Sequence, residues 1–229
     1  MLNRFRRARR WPALLLMALM AGLMVLAACG GGDDDVEAVL ERAEAFTEEI
    51  VVGISMYVLV DDLESPDPAF SSRRTEDELE VILAGMNEIW SQANIRLELD
   101  VVDTIQVDAE VLARVAQGNI RAFFDKLGGS IPFNVTGTDS SLISGFYTKQ
   151  IGGSNGITPL GTGWYMVIDG PSVFDRRVSS HEVGHILGLQ HTAADRGRLL
   201  YSGTNGMTLT PEEIVLARYV TMELLKAKR

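Results

Sequence analysis

The chain has 229 residues, 46% of them hydrophobic, with 21 basic against 31 acidic residues and a formal net charge of −10. This length and apolar content suit one ordinary domain with a sizeable core, and the negative balance disfavours nucleic acid and anionic membrane surfaces as partners. A single cysteine excludes an intrachain disulfide framework.

In chain order, the first element is a targeting segment over residues 1–29. Arg4, Arg6, Arg7, Arg9 and Arg10 form a basic head, and Trp11 to Ala28 is an apolar run interrupted only mildly by Pro12 and Gly22. This is the layout of a secretory signal. Its ending, Leu26-Ala27-Ala28-Cys29, resembles the lipobox of bacterial lipoproteins. The resemblance implies cleavage before Cys29, lipidation of its thiol and new amino terminus, and a place in the bacterial cell envelope, on the outer membrane or cell surface. Several acyl chains would make such anchoring stable. Two alternatives stay open: the 18-residue run is just long enough for a transmembrane anchor, and cleavage at an ordinary small-residue site would release the chain. Loss of the five arginines would leave 16 basic against 31 acidic residues, a charge near −15.

Residues 30–49 read as a tether, Gly30 to Asp35, and a short helix. Val36, Val39, Leu40, Ala43, Phe46 and Ile50 stand at helical spacing. Residues 50–229 read as one domain. Val51 to Val60 is a strand. Thr75 to Ala93 is the clearest helix, with a capping box from Thr75 and Glu78 and an apolar stripe of Leu79, Ile82, Leu83, Met86, Ile89 and Trp90. Ile95 to Val107 alternates as a half-buried strand, with Ile95, Leu97, Leu99 and Val101 expected on one face. Asp108 to Leu127 reads as helix interrupted near Gly118. Gly128 to Gly163 is rich in glycine, serine and threonine, with short strands expected at Phe133–Val135 and Gly145–Lys149. The glycines of IGGSNGITPLGTG read as loop chemistry. Trp164 to Asp169 is a buried strand, and Ser172 with Asp175 is expected to cap a helix running to about Leu189.

That helix carries HEVGHILGLQH, which holds all three histidines of the chain: His181, His185 and His191. Residues four apart share one helix face, so His181 and His185 point at one metal ion. His191 would lie about 9 Å further along the axis at ~1.5 Å per residue if the helix continued. Gly188 stands where the helix must end, and glycine readily takes the left-handed conformation of helix ends. Three imidazoles leave zinc an open fourth position, the pattern of a catalytic ion; structural zinc is usually closed by four protein ligands. Glu182 beside the first ligand is placed to act as a general base toward water at that position.

HEVGHILGLQH resembles the long zinc signature of the metzincin metallopeptidases. The resemblance implies one catalytic zinc held by His181, His185 and His191, Glu182 as general base, and Gly188 as the turn glycine. It also implies an α+β, zincin-like fold: a mixed twisted sheet, a backing helix, a zinc-binding helix, and an irregular C-terminal part ending in a helix. Gly128–Gly163 would supply the edge strand above the cleft. Metzincins carry a methionine in a turn beneath the zinc, and in RLLYSG that place falls to Leu200, with Met207 a poorer substitute. Ser202 stands where some members add a tyrosine ligand. Thr192 is similar to the serine of the matrixin branch. Asp195 is expected either to hydrogen-bond under the Leu200 turn or to be a surface carboxylate. Tyr201 to Leu209 would wall the pocket for the residue after the cleaved bond.

The last helix runs from Pro211 to about Lys226, with Thr210 as N-cap and Glu213 completing the box. The reading that results is an exported, lipid-anchored zinc endopeptidase acting on extended protein or peptide substrates, with a monomer assumed. The alternatives are a non-catalytic zinc-binding surface lipoprotein acting as a protein-binding module, and an enzyme for other amides such as cell-wall cross-links. Structural calcium is an option given the acidic loops, but no contiguous calcium-loop motif supports it.

Overall fold

The computed structural model describes residues 48–126 and 141–228. Cys29, most of the expected helix at Val36–Ile50 and the expected strand at Phe133–Val135 lie outside them; Ile50 itself opens a strand. Within the compact unit Ile50–Arg229 the architecture is α+β. The strands are β1 (Ile50–Val60), β2 (Ile95–Gln106), β3 (Ser141–Thr148), β4 (Gly156–Ile157) and β5 (Trp164–Ile168). The helices are α1 (Glu76–Trp90), α2 (Ala109–Ala116), α3 (Arg121–Lys126), α4 (Asp175–Ile186) and α5 (Pro211–Ala227). The five strands form one sheet in the order β2-β1-β3-β5-β4. Every pairing is parallel except that of β4 with β5.

The sheet is packed on both faces, which explains the nearly unbroken apolar run of β1. Val52, Ile54, Met56, Val58 and Val60 turn toward the core shared with α1, α4 and α5. Tyr57 and Leu59 turn toward a second core with Val111, Leu112 and Val115 of α2 and Phe123 of α3. Gly118, at φ +90°, stands in the break between α2 and α3, where the sequence placed an interruption.

β2 departs from simple alternation. Its pairing with β1 steps from Ile54–Leu99 to Ser55–Val101, leaving Asp100 as a bulge. A one-residue insertion reverses the facing of everything after it. Leu99 and Val102 therefore pack on the first core, and Val101 and Ile105 on the second. Val101 does not share a face with Ile95, Leu97 and Leu99.

α1 is the backing helix. Thr75 and Glu78 form the expected capping box, and Leu79, Met86 and Trp90 are fully buried. α1 crosses α4 closely at Gly85, where a Cβ would lie 2.6 Å from Cδ of Arg176. The capping box at Thr210 and Glu213 starts α5. α5 is fastened to the start of β2 by Arg218, whose Nη1 donates to the carbonyls of Ala93 (2.8 Å) and Asn94 (3.2 Å). The long irregular stretch between α4 and α5 is tied to the 3-10 turn Ser91–Ala93 that follows α1 through Gln92, which donates to the carbonyl of Met207 and accepts from Leu209 N. Among the described residues, no helix is long and apolar enough to cross a membrane.

Candidate metal centre

α4 follows β5 and doubles back across the sheet. Its start differs from expectation: Phe174 is the N-cap, without a side-chain cap. Ser172 is engaged with Asn155 instead, its hydroxyl accepting from Nδ2 at 2.8 Å and its N–H donating to Oδ1 at 3.0 Å. The cross-link to the loop before β4 takes the hydroxyl that would have capped the helix. α4 is also shorter than expected, ending at Ile186. Gly188 closes it at φ +85°. Gly188 N donates to the His185 carbonyl at 3.1 Å and Leu189 N to the Gly184 carbonyl at 2.9 Å, the paired bonds of a Schellman turn. That turn reverses the chain and brings His191 back to the helix.

The three histidines converge. Nε2 of His191 lies 3.1 Å from Nε2 of His181 and 3.1 Å from Nε2 of His185. Two nitrogens bound tetrahedrally to one zinc lie ~3.3 Å apart, given Zn–N distances of ~2.0–2.1 Å. The opposite side of two rings is committed. His181 Nδ1 donates to the Leu199 carbonyl at 2.8 Å and His185 Nδ1 to the Leu189 carbonyl at 2.9 Å. A proton fixed on Nδ1 leaves the Nε2 lone pair for a metal and sets the ring's orientation. Burial pushes His181 down to about 3 and lowers His185 as well, which keeps both imidazoles neutral. The triad grades from buried His181 through half-buried His185 to exposed His191. Three nitrogen donors open to solvent on one side fit zinc, and their number leaves a position for a further ligand.

Leu200 is fully buried below α4. One of its methyls, Cδ2, lies 3.3 Å from where a Cβ on Gly184 would sit, so it packs on the helix between His181 and His185. Its carbonyl accepts from Thr192 N at 3.1 Å, tying the chain just after His191 to the same turn. Met207 packs against the main core, and Ser202 is exposed. Asp195 is the surface alternative: it is exposed and accepts from Gly197 N at 2.8 Å in a local turn.

Three residues gain roles that the sequence reading did not foresee. Arg177, one turn before His181, is 3% exposed. Its guanidinium donates to the carbonyls of Leu199 (2.7 Å) and Tyr201, clamping the Leu200 turn to α4. Leu199's carbonyl thus serves both Arg177 and His181. The other two come from the sheet edge. The Thr158 hydroxyl lies 2.9 Å from Oε2 of Glu182 and 3.0 Å from its carbonyl oxygen. A Cβ at Gly156 would stand 2.8 Å from Oε1 and 3.0 Å from Cγ of Glu182. The edge strand therefore closes over the carboxylate, and only glycine leaves it room. Burial lifts Glu182 to about 7, while the Thr158 hydrogen bond and the Arg177 charge pull in the opposite direction. A carboxyl group held near neutrality suits proton transfer in both directions.

No protein-family profile matches the chain, and no curated protein matches its sequence. Among solved structures, it aligns with a chain from a chaperone–substrate complex at a TM-score of 0.52 and 11% identity, over 77% of this chain and 34% of that one. The chain thus spans about a third of that chain's length, and the likeness is one of fold. Archaemetzincin from Methanopyrus kandleri aligns at a TM-score of 0.48 and 15% identity, over 78% of this chain and 96% of that one.

Proposed function

We propose that this chain is a zinc-dependent endopeptidase of the metzincin type, exported from a bacterial cell and anchored in its envelope through lipid on Cys29. The observation that carries the reading is the convergence of three Nε2 atoms, two of them on rings whose Nδ1 is tied to a backbone carbonyl. Zinc bound there would supply a Lewis acid that polarises the scissile carbonyl and acidifies water.

The chain's own groups do the rest. Glu182 takes the proton of the attacking water on its carboxylate and delivers it to the leaving amine. Thr158 and Gly156 hold that carboxylate in one place, which matters because small misplacements of reacting groups cost rate steeply. β4 is the last strand of the sheet, and its outer edge offers main-chain groups to an extended peptide. The Leu200 turn and Arg177 keep the floor rigid below the histidines.

The test is digestion of unstructured proteins by the purified domain, with and without a chelator, beside Glu182→Ala. Hydrolysis that vanishes in both, with zinc retained by Glu182→Ala, supports the reading. Zinc binding without hydrolysis would favour a non-catalytic protein-binding role. The anchor rests on the basic head, the apolar run and Leu26-Ala27-Ala28-Cys29. Incorporation of labelled fatty acid that Cys29→Ala abolishes would support it.

A further inference from the structure

The loop that carries the Leu200 turn is wound around a buried cation. Arg177 stands four residues before His181 on α4, so both side chains leave the same face of the helix. Its guanidinium donates to three backbone carbonyls: Nη2 to those of Leu199 (2.7 Å) and Tyr201, and Nε to that of Gly206 (3.4 Å). An arginine stays protonated in a protein, and a buried charge is costly unless its donors are met. Here the acceptors are neutral carbonyl dipoles, supplied by one loop. Tyr201 and Gly206 belong to the stretch expected to wall a substrate pocket, and their carbonyls are engaged with Arg177 instead.

The loop is tight enough to present those carbonyls together. Leu199 N donates to the Thr208 carbonyl at 2.9 Å, and Thr208 N to the Gly197 carbonyl at 3.0 Å. A Cβ on Gly206 would lie 2.5 Å from the Arg196 carbonyl oxygen and 2.6 Å from that of Arg198. A second arginine, Arg198, ties the same loop to Glu213 of α5. Of the two, it is Arg177 that bonds the carbonyl serving His181. A carbonyl oxygen has two lone pairs. At Leu199 one receives Nη2 of Arg177 and the other Nδ1 of His181, so the oxygen is fixed from two sides.

We propose that Arg177 is a positioning residue for the metal site: its guanidinium gathers the carbonyls of Leu199, Tyr201 and Gly206 and holds the Leu199 oxygen where it orients the His181 ring. Order in the loop 197–208 and zinc binding are then coupled, and the coupling is reciprocal, since zinc tightens the loop as the loop tightens zinc. This role rests on the zinc site read above.

The experiment measures the zinc affinity of the full-length protein by competition with a chromophoric chelator, in the wild type, Arg177→Lys, Arg177→Met and Arg198→Met. Loss of an outer-shell partner of a metal-bound histidine costs roughly tenfold to a hundredfold in metal affinity, and both Arg177 variants should fall in that range. Lysine should lose less than methionine, because it keeps the charge but lacks the planar fork. Arg198→Met should bind zinc as the wild type does. The visible spectrum of the cobalt(II)-loaded protein should shift in Arg177→Lys and not in Arg198→Met, as expected if ring orientation depends on Arg177 and not on any anchor of the loop. In the wild type, zinc should slow amide hydrogen exchange at Leu199, Tyr201 and Thr208, whose N–H groups bond within the loop. Wild-type zinc affinity in Arg177→Lys would overturn the positioning role and leave the zinc reading standing. So would an equal loss of affinity in Arg198→Met. Should neither Arg177 variant fold, exchange in the wild type decides: rates at those three amides that zinc does not change would overturn the role. A wild type that binds no zinc would overturn both.

Discussion

The two walls of the candidate site are built differently. The helix wall draws His181, Glu182, His185 and His191 from eleven consecutive residues, arranged by one helix and one Schellman turn. The strand wall draws Gly156 and Thr158 from β4 and the residue after it, and Thr158 stands 24 residues before the carboxylate it touches. Local geometry thus brings the candidate metal donors together, and the antiparallel edge of the sheet positions the Glu182 carboxylate. Damage to the first wall should remove the metal. Damage to the second should leave the metal bound and slow the chemistry.

The largest effect should come from His191→Ala. A three-donor site reduced to two loses its zinc, and hydrolysis should fall by more than a thousandfold. Metal analysis after dialysis would read this directly, and near-stoichiometric zinc in the variant would break the distinction between the walls. Gly156→Ala should come next. Its Cβ would press on both Oε1 and Cγ of Glu182, and displacing a reacting group by a fraction of an ångström to 1 Å costs roughly tenfold to a hundredfold. Zinc content should be unchanged.

Thr158→Val should have a smaller effect, about tenfold on kcat, the low end of the about 1.5–3 kcal/mol that hydrogen bonds to charged groups contribute, at about 1.4 kcal/mol per tenfold. The sign of its pH effect is set by the carboxylate. The base works when ionised, so activity is present above its pKa and lost as pH falls through it. The Thr158 hydrogen bond lowers that pKa. Its loss should therefore move the acid limb of the kcat/KM profile upward, and Thr158→Ser should restore it. A valine variant with lower activity and an unmoved limb would reduce Thr158 to a packing residue. The smallest change should come from Leu200→Met. The swap conserves volume and should alter stability by less than ~1.5 kcal/mol, with zinc content and hydrolysis close to wild type.

The same contrast explains what could be read from the chain beforehand. The helix wall was legible because its geometry is local: i,i+4 spacing and a glycine at the reversal. α1 and α5 were legible for the same reason, through capping boxes at Thr75–Glu78 and Thr210–Glu213. The misread details depend on partners distant in sequence. Ser172 offers a capping pattern, but Asn155 claims its hydroxyl. Val101 fits an alternating strand, but the bulge at Asp100 turns it over. Gly156 sits in a glycine-rich loop composition, and only its closeness to Glu182 distinguishes it from its neighbours. Arg177 is a charged residue on a helix, and no sequence signal marks it as buried against the Leu200 turn.

The most direct test of the central claim is a side-by-side measurement of zinc content and peptide hydrolysis in the wild type and Glu182→Ala. The account predicts one zinc per chain in both proteins, with chelator-sensitive hydrolysis in the wild type reduced at least a thousandfold in the variant. Equal hydrolysis by the two proteins, or a wild type that holds zinc and cleaves no peptide, would contradict it.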